Sequence, residues 1–207
     1  ANHRKGYMKK ATTSFALLAA LLLIVLPSAS RADEFTFSPI PADLYDLDHS
    51  WAYAWGLNWT IPSQEKIESA SITFKNIYDW RIETGDILRV DLLDLDAGLN
   101  GYPPNNGWVK VTNPAYSYLT KTKSYNDGET PASDYFGTWE GVSVGTWTDS
   151  LGGNPRNPVF NLIFSIDKDT LTDYISNNSY FGFGIDPDCH YYNDGIVLKI
   201  VTGPENT

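Results

Sequence analysis

Between residues 51 and 61 the sequence reads WAYAWGLNWTI, and every second residue is large and apolar. Trp51, Tyr53, Trp55, Leu57, Trp59 and Ile61 fall on one side, while Ala52, Ala54, Gly56, Asn58 and Thr60 fall on the other. Successive side chains of a strand point to opposite faces, so this period of two writes a strand with one heavily apolar face. The same alternation returns in IESASITF (Ala70, Ile72, Phe74) and in DILRVDLLD (Leu88, Val90, Leu92, with Arg89 and Asp91 opposite). It returns again in VFNLIFSI (Phe160, Leu162, Phe164, Ile166), YFGFGI (Phe181, Phe183, Ile185) and IVLKI (Ile196, Leu198, Ile200).

One stretch changes period. DKDTLTDYISNN sets Leu171, Tyr174 and Ile175 at helical spacing, with Asp167 or Asp169 as the cap and an Asn pair as the stop. Residues 94–107 and 121–134 are rich in Gly, Pro, Asn, Asp and other polar residues and read as loops. Many strands, one short helix and Gly/Pro-rich turns predict an all-β fold: an antiparallel β-sandwich, jelly-roll-like, with one short helix.

The N-terminal residues follow different rules. Met8-Lys9-Lys10 is a basic start, Phe15–Leu26 is an apolar run, Pro27 breaks it, and Ser30 and Ala32 stand at the −3 and −1 positions of a cleavage site. That order predicts a secretory signal peptide. The apolar run is shorter than the roughly 20 residues that span a bilayer, which argues against an anchor. Residues 1–32 are therefore set apart as leader, residues 33–201 as one β-sandwich domain, and residues 202–207 as a tail or the start of a linker. The mature chain carries no predicted transmembrane segment, and the expected location is outside the cytoplasm: extracellular, cell surface or periplasm.

The leader holds five of the 15 basic residues and none of the 25 acidic ones, leaving residues 33–207 with a formal charge of −15. Nucleic acid and anionic membranes are excluded as partners, because phosphate binding needs Lys and Arg. Divalent cations and neutral ligands such as sugars are compatible with the charge, which also serves solubility. The single cysteine, Cys189, excludes an internal disulfide.

Two acidic clusters stand out. ADLYDLDHS supplies Asp46 and Asp48, and DPDCHYYNDG supplies Asp186, Asp188 and Asp194. First and last strands often neighbour each other in a sandwich, so these five aspartates are the candidate ligands for a structural calcium, which takes six to eight oxygens. Neither cluster has EF-hand spacing, and turn formation explains both equally: Pro187 sets a bend and Asn193-Asp194-Gly195 is a hairpin signal. Cys189, His190 and His49 form a second, transition-metal reading, opposed by the alternation that sends adjacent residues to opposite faces.

No nucleophile, zinc-protease or P-loop motif occurs. Paired carboxylates for glycoside hydrolysis have no sequence spacing to read, so Glu140, Asp149 and Asp167 are candidates only as acids. The aromatics are more informative. Sugar-binding sandwiches stack rigid, exposed aromatic rings on pyranose faces, with Asp and Asn taking hydroxyls. Trp51, Trp55 and Trp59 follow core patterning. Trp108, Tyr116, Tyr118, Trp139 and Trp147 lie in less regular, polar surroundings and are the candidate ligand-binding set.

DLDHSWAYAWGL, SASITFKNIYDW, DILRVDLLD and YFGFGIDPDCHYYNDGIVLKI together resemble a loosely defined group of exported bacterial β-sandwich domains with an aspartate-cysteine-histidine-tyrosine loop. The similarity spans roughly residues 43–201. Some members end in a PEP-CTERM sorting signal, and the group carries no settled activity. Such a signal needs Pro-Glu-Pro, an apolar helix and terminal basic residues; the sequence given ends in GPENT, compatible with both free secretion and surface retention.

The expectation is an exported, non-catalytic module associated with a surface or extracellular matrix, binding a glycan or cell-surface polymer and stabilised by calcium. The alternatives are a polysaccharide-active enzyme, which needs two carboxylates about 5–10 Å apart across a cleft, and a structural coat component, which needs neither these nor exposed aromatics.

Overall fold

The structure, a computed structural model, describes residues 32–79, 85–95, 107–127, 134–137, 139, 141–149 and 160–205. The predicted leader up to residue 31 and residues 96–106 of the first predicted loop lie outside that set. In chain order the strands are β1 (Asp33–Phe37), β2 (Trp51–Asn58), β3 (Glu65–Asp79), β4 (Ile87–Asp94), β5 (Val109–Thr112) and β6 (Ser117–Asn126). They continue with β7 (Gly141–Thr148), β8 (Phe160–Ile166), helix α1 (Lys168–Asn178), β9 (Tyr180–Pro187), β10 (Tyr191–Tyr192) and β11 (Ile196–Pro204).

All pairings are antiparallel. One sheet runs β1-β11-β3-β8, and β10 continues the register of β11 along β3, with Tyr192 opposite Tyr78 and Ile196 opposite Phe74. The other sheet runs β5-β6-β2-β9-β4-β7. The chain changes sheet at every step from β1 to β4, and again from β7 through β8 and β9 to β11. Four strands from each sheet, β1-β11-β3-β8 and β2-β9-β4-β7, thus form a jelly roll, and the β5–β6 hairpin widens the second sheet beyond β2.

The alternating residues meet between the sheets. Phe37, Ile72, Phe74, Leu198 and Ile200 of one face Tyr53, Trp55, Val90, Phe181 and Phe183 of the other, all buried in one core. Trp55 is fully enclosed, and its indole N–H donates to Thr120 Oγ1 at 2.9 Å, so the largest core side chain leaves no donor unpaired. Helix α1 forms where its spacing predicts. Asp167 caps it by accepting from the Thr170 amide at 2.8 Å, and Leu171 and Ile175 turn into the core.

Four expectations are corrected. Lys121–Asn126 is not loop but the second half of β6, paired along β2. Its inward positions are Thr120, Thr122 and Ser124, small residues beside bulky Trp55 and Tyr53, so no apolar alternation marks it. Trp51 begins β2 on the apolar side but lies past the rim of the core and is 39% exposed. Pro187 still belongs to β9, opposite Leu88, and the chain bends after it at Asp188-Cys189. Thr202–Pro204, assigned to the tail, pair with β3 as the end of β11.

β3 runs the length of the sandwich and defines two poles. Its first residues lie beside Asp33, Trp59 and Tyr116, together with the N-terminal strand and the end of β11. Its last residue, Asp79, lies beside the DPDCHYYNDG segment. Fifteen residues at about 3.3 Å each separate the poles by roughly 45 Å.

Candidate functional site

The five predicted binding aromatics form no single platform: Tyr116 and Tyr118 stack together, the other three lie elsewhere, and each is engaged in packing. Tyr116 and Tyr118 bridge the sheets. The Tyr116 hydroxyl accepts from the Thr36 amide at 2.7 Å and donates to the Thr36 carbonyl, while the Tyr118 hydroxyl accepts from the Ser38 amide at 3.3 Å. Trp147 packs on Phe160 and Tyr191 at the core's edge. Trp108 lies against Tyr180, and Trp139 sits in a cluster with Tyr125, Tyr135 and Phe136 on the outer face of the second sheet.

That outer face answers why β9 carries Gly182 and Gly184. A β-carbon on Gly182 would meet the Leu95 side chain and the Trp55 carbonyl at 2.5 Å, and one on Gly184 would meet the Phe136 ring at 2.5 Å. The close approach there is made by the chain's own Leu95 and Phe136, which form a second small core with Ala52, Ala54 and Leu93.

Among the described residues the exposed aromatic side chains are Tyr45, at 64%, and Trp51, at 39%. They line one groove of about 340 Å³ with Asp48, Tyr53 and Ser124. The backbone holding Tyr45 is unusual: Leu44, Tyr45, Asp46 and Leu47 all have positive φ, from 47° to 59°, forming a left-handed turn. Each such L-residue costs about 1–2 kcal/mol, and here burial of Leu44 and Leu47, both fully enclosed, offsets it. Asn193 fastens the turn by donating from Nδ2 to the Asp43 carbonyl at 2.9 Å. Asp48 Oδ1 accepts from the Ser50 amide at 2.9 Å, and that hydrogen bond holds its carboxyl below the usual range, keeping an anion at the groove. Sequence reasoning missed this pair because Trp51 shares the parity of the core; the signal available was its position as the first residue of the alternating run.

Four of the five predicted calcium ligands serve separate partners, and the fifth, Asp46, has none among them. Asp48 caps Ser50, Asp46 lies in the left-handed turn, and Asp194 accepts from Asn76 Nδ2 at 2.6 Å. Asp188 accepts from the Ile87 amide. Asp186 is on the outer face, where Oδ2 accepts from the Tyr135 amide at 2.9 Å and lies 3.9 Å from Arg89. Around it stand Asp91, Asp127 and Asp134. Burial drives Asp91 up to about 7 and Asp186 up to about 6. Asp91 Oδ2 finds no donor, and the neighbouring Asp134 and Asp186 carboxyls add to the upward shift that burial causes.

Among the described residues one trio has ligand atoms close enough to hold a metal ion. Asp79, Asp86 and Cys189 each present an atom within 4.8 Å of the others, and the Cys189 thiol donates to Asp79 Oδ1 at 3.2 Å. His190 turns away from it and stacks on Tyr192 at 4.8 Å, as alternation along the chain requires. Of the candidate acids, Asp149 is buried at this pole, Asp167 caps α1, and Glu140 lies outside the described residues.

These features define an all-β jelly-roll module with an aromatic groove and a buried thiol–carboxylate cluster at the same pole. No helix among the described residues is long and apolar enough to cross a membrane. No protein-family model, curated protein or solved structure matches the chain.

Proposed function

We propose that the protein is an exported, non-catalytic jelly-roll module that binds a carbohydrate chain of a surface or matrix polymer. The observation that carries this reading is the groove at Tyr45 and Trp51. Two exposed rings stand beside an ionised Asp48 and the Ser124 hydroxyl, which suits a ligand with apolar ring faces and hydroxyl edges. A preformed turn holds Tyr45, so little order is lost on binding. Calcium is not part of the proposal, because Asp48, Asp186, Asp188 and Asp194 each serve a separate partner.

A larger groove of about 740 Å³ lies at the other pole, lined by Trp59, Tyr116, Asn58 and Glu65. Its aromatic rings are half-buried or buried, so less ring surface is available for stacking there than at Tyr45 and Trp51. The enzyme reading is favoured by one observation, the raised carboxyls of Asp91 and Asp186. Both are nearly sealed, at 5% and 2% exposure, which keeps a glycosidic bond away from them.

Glycan-array screening followed by calorimetry tests the proposal. Trp51→Ala and Tyr45→Ala are expected to abolish binding, while Trp108→Ala, Trp139→Ala and Trp147→Ala retain it. Unchanged binding in Trp51→Ala and Tyr45→Ala overturns the groove assignment, and release of reducing ends by the wild type overturns the non-catalytic one.

A further inference from the structure

We propose that Asp79, Asp86 and Cys189 form a site for one divalent cation of the zinc class. Two stretches far apart in sequence build it. Asp79 ends β3, Asp86 precedes β4, and Cys189 lies in the bend between β9 and β10. Backbone bonds fix the segment around Asp86: Gly85 N–H donates to the Asp149 carbonyl at 2.7 Å, and Asp149 N–H donates to the Asp86 carbonyl at 2.8 Å. Asp188 fixes the bend by donating its N–H to the Ile87 carbonyl at 2.9 Å.

The trio alone, acids and a lone thiol, would not make a site. A second observation points to a ligand. Tyr191 stands directly opposite Asp79 in the β3–β10 ladder, so their side chains share one face. It is fully buried, its hydroxyl has no hydrogen-bond partner, and that hydroxyl lies in the field of Asp188, Cys189, Asp86 and Asp79. Asp86 Oδ2 is likewise enclosed without a partner. A buried hydroxyl and a buried carboxylate oxygen left unsatisfied beside a thiol are costly unless something polar or charged sits among them.

Ligand chemistry selects the ion. Zinc takes Cys sulfur at about 2.3 Å and carboxylate oxygen at about 2.0–2.2 Å in tetrahedral sites, which puts neighbouring S and O donors roughly 3.5 Å apart. Cys189 Sγ and Asp79 Oδ1 stand at 3.2 Å, and the whole trio lies within 4.8 Å, so small side-chain movements complete the set. Calcium needs six to eight oxygens and does not favour sulfur, so this site rejects it. On binding, the Cys189 S–H bond breaks, its proton passes to solvent, and a sulfur–metal bond forms.

Metal-free protein titrated with Co²⁺ tests the site. One equivalent is expected to bind with a thiolate-to-cobalt charge-transfer band in the near ultraviolet, to be displaced by Zn²⁺ and not by Ca²⁺. Cys189→Ser should abolish the band. Asp79→Asn and Asp86→Asn should each weaken Zn²⁺ binding about tenfold or more, and His49→Ala and His190→Ala should leave it unchanged. Because buried substitutions can unfold the chain, the wild type gives an independent reading: Zn²⁺ should raise its melting temperature and Ca²⁺ should not. A folded wild type that takes up no Co²⁺, or binds it without the thiolate band, overturns the proposal; so does an unchanged Zn²⁺ affinity in Asp79→Asn and Asp86→Asn.

Discussion

The ring of Phe136 packs so closely on Gly184 that a β-carbon there would lie 2.5 Å from it. This contact closes the outer face of the second sheet with residues 134–137 and 139. Gly184→Ala is expected to destabilise the protein by on the order of 1–3 kcal/mol through overpacking. Adding Phe136→Ala should recover part of that loss, because the two residues share one space. Urea unfolding of the two single variants and the double variant measures the coupling; strict additivity would show that the ring simply moves aside.

Thr120 tests the interior of the first core. Thr120→Val keeps the shape but leaves the buried Trp55 indole N–H without its acceptor. The expected cost is about 1–3 kcal/mol, read as a lower urea midpoint with an unchanged slope.

The carboxyls on the outer face of the second sheet make stability depend on pH. An unperturbed Asp titrates near 3.9, while Asp91 is raised to about 7 and Asp186 to about 6, both mainly by burial. The folded state then holds protons that the unfolded state has released. Their contribution is present below about pH 4 and is lost as pH rises towards 7. Arg89, Asp127 and Asp134 face the same group of carboxyls. Asp91→Asn should flatten the fall in stability between pH 4.5 and 8 and stabilise the protein at pH 8. Urea midpoints across that range check the sign, and an unaltered slope in the variant would remove Asp91 as the source.

Tyr116 was expected to bind ligand and instead ties β1 to β6. Tyr116→Phe removes an acceptor for the Thr36 amide and a donor to the Thr36 carbonyl. Hydrogen exchange at the Thr36 amide should accelerate by about fivefold, matching a loss of roughly 1 kcal/mol of local protection, with glycan binding unaltered.

The sandwich was legible because its core strands alternate without interruption: Tyr53 to Leu57, Ala70 to Phe74 and Phe181 to Ile185 all point as their parity predicts. β6 was hidden because Thr120, Thr122 and Ser124 make room for larger partners across the ladder, a choice dictated by β2 and invisible within β6. The candidate sites were harder for the same reason. Asp79 and Asp86 reach Cys189 only through the pairing of β3 with β10 and of β4 with β9, contacts spanning more than a hundred positions. Adjacent histidine and acid residues in the DPDCHYYNDG segment drew attention, yet neighbours in sequence point apart on a strand. Trp51 kept core parity one step beyond the core's edge, and parity alone carries no information about where a sheet stops.

The register of β1 against β11 has a mechanical consequence. Asp33 pairs with Thr202 and Phe37 with Leu198, so the chain enters and leaves at the same end of one ladder. Tension between the two ends loads these hydrogen bonds one rung at a time, beginning at Asp33–Thr202, and peels β1 from the edge as a zip opens. Under that end-to-end tension the pole holding Tyr45, Trp51 and Cys189, some 45 Å away along β3, stays outside the line of force.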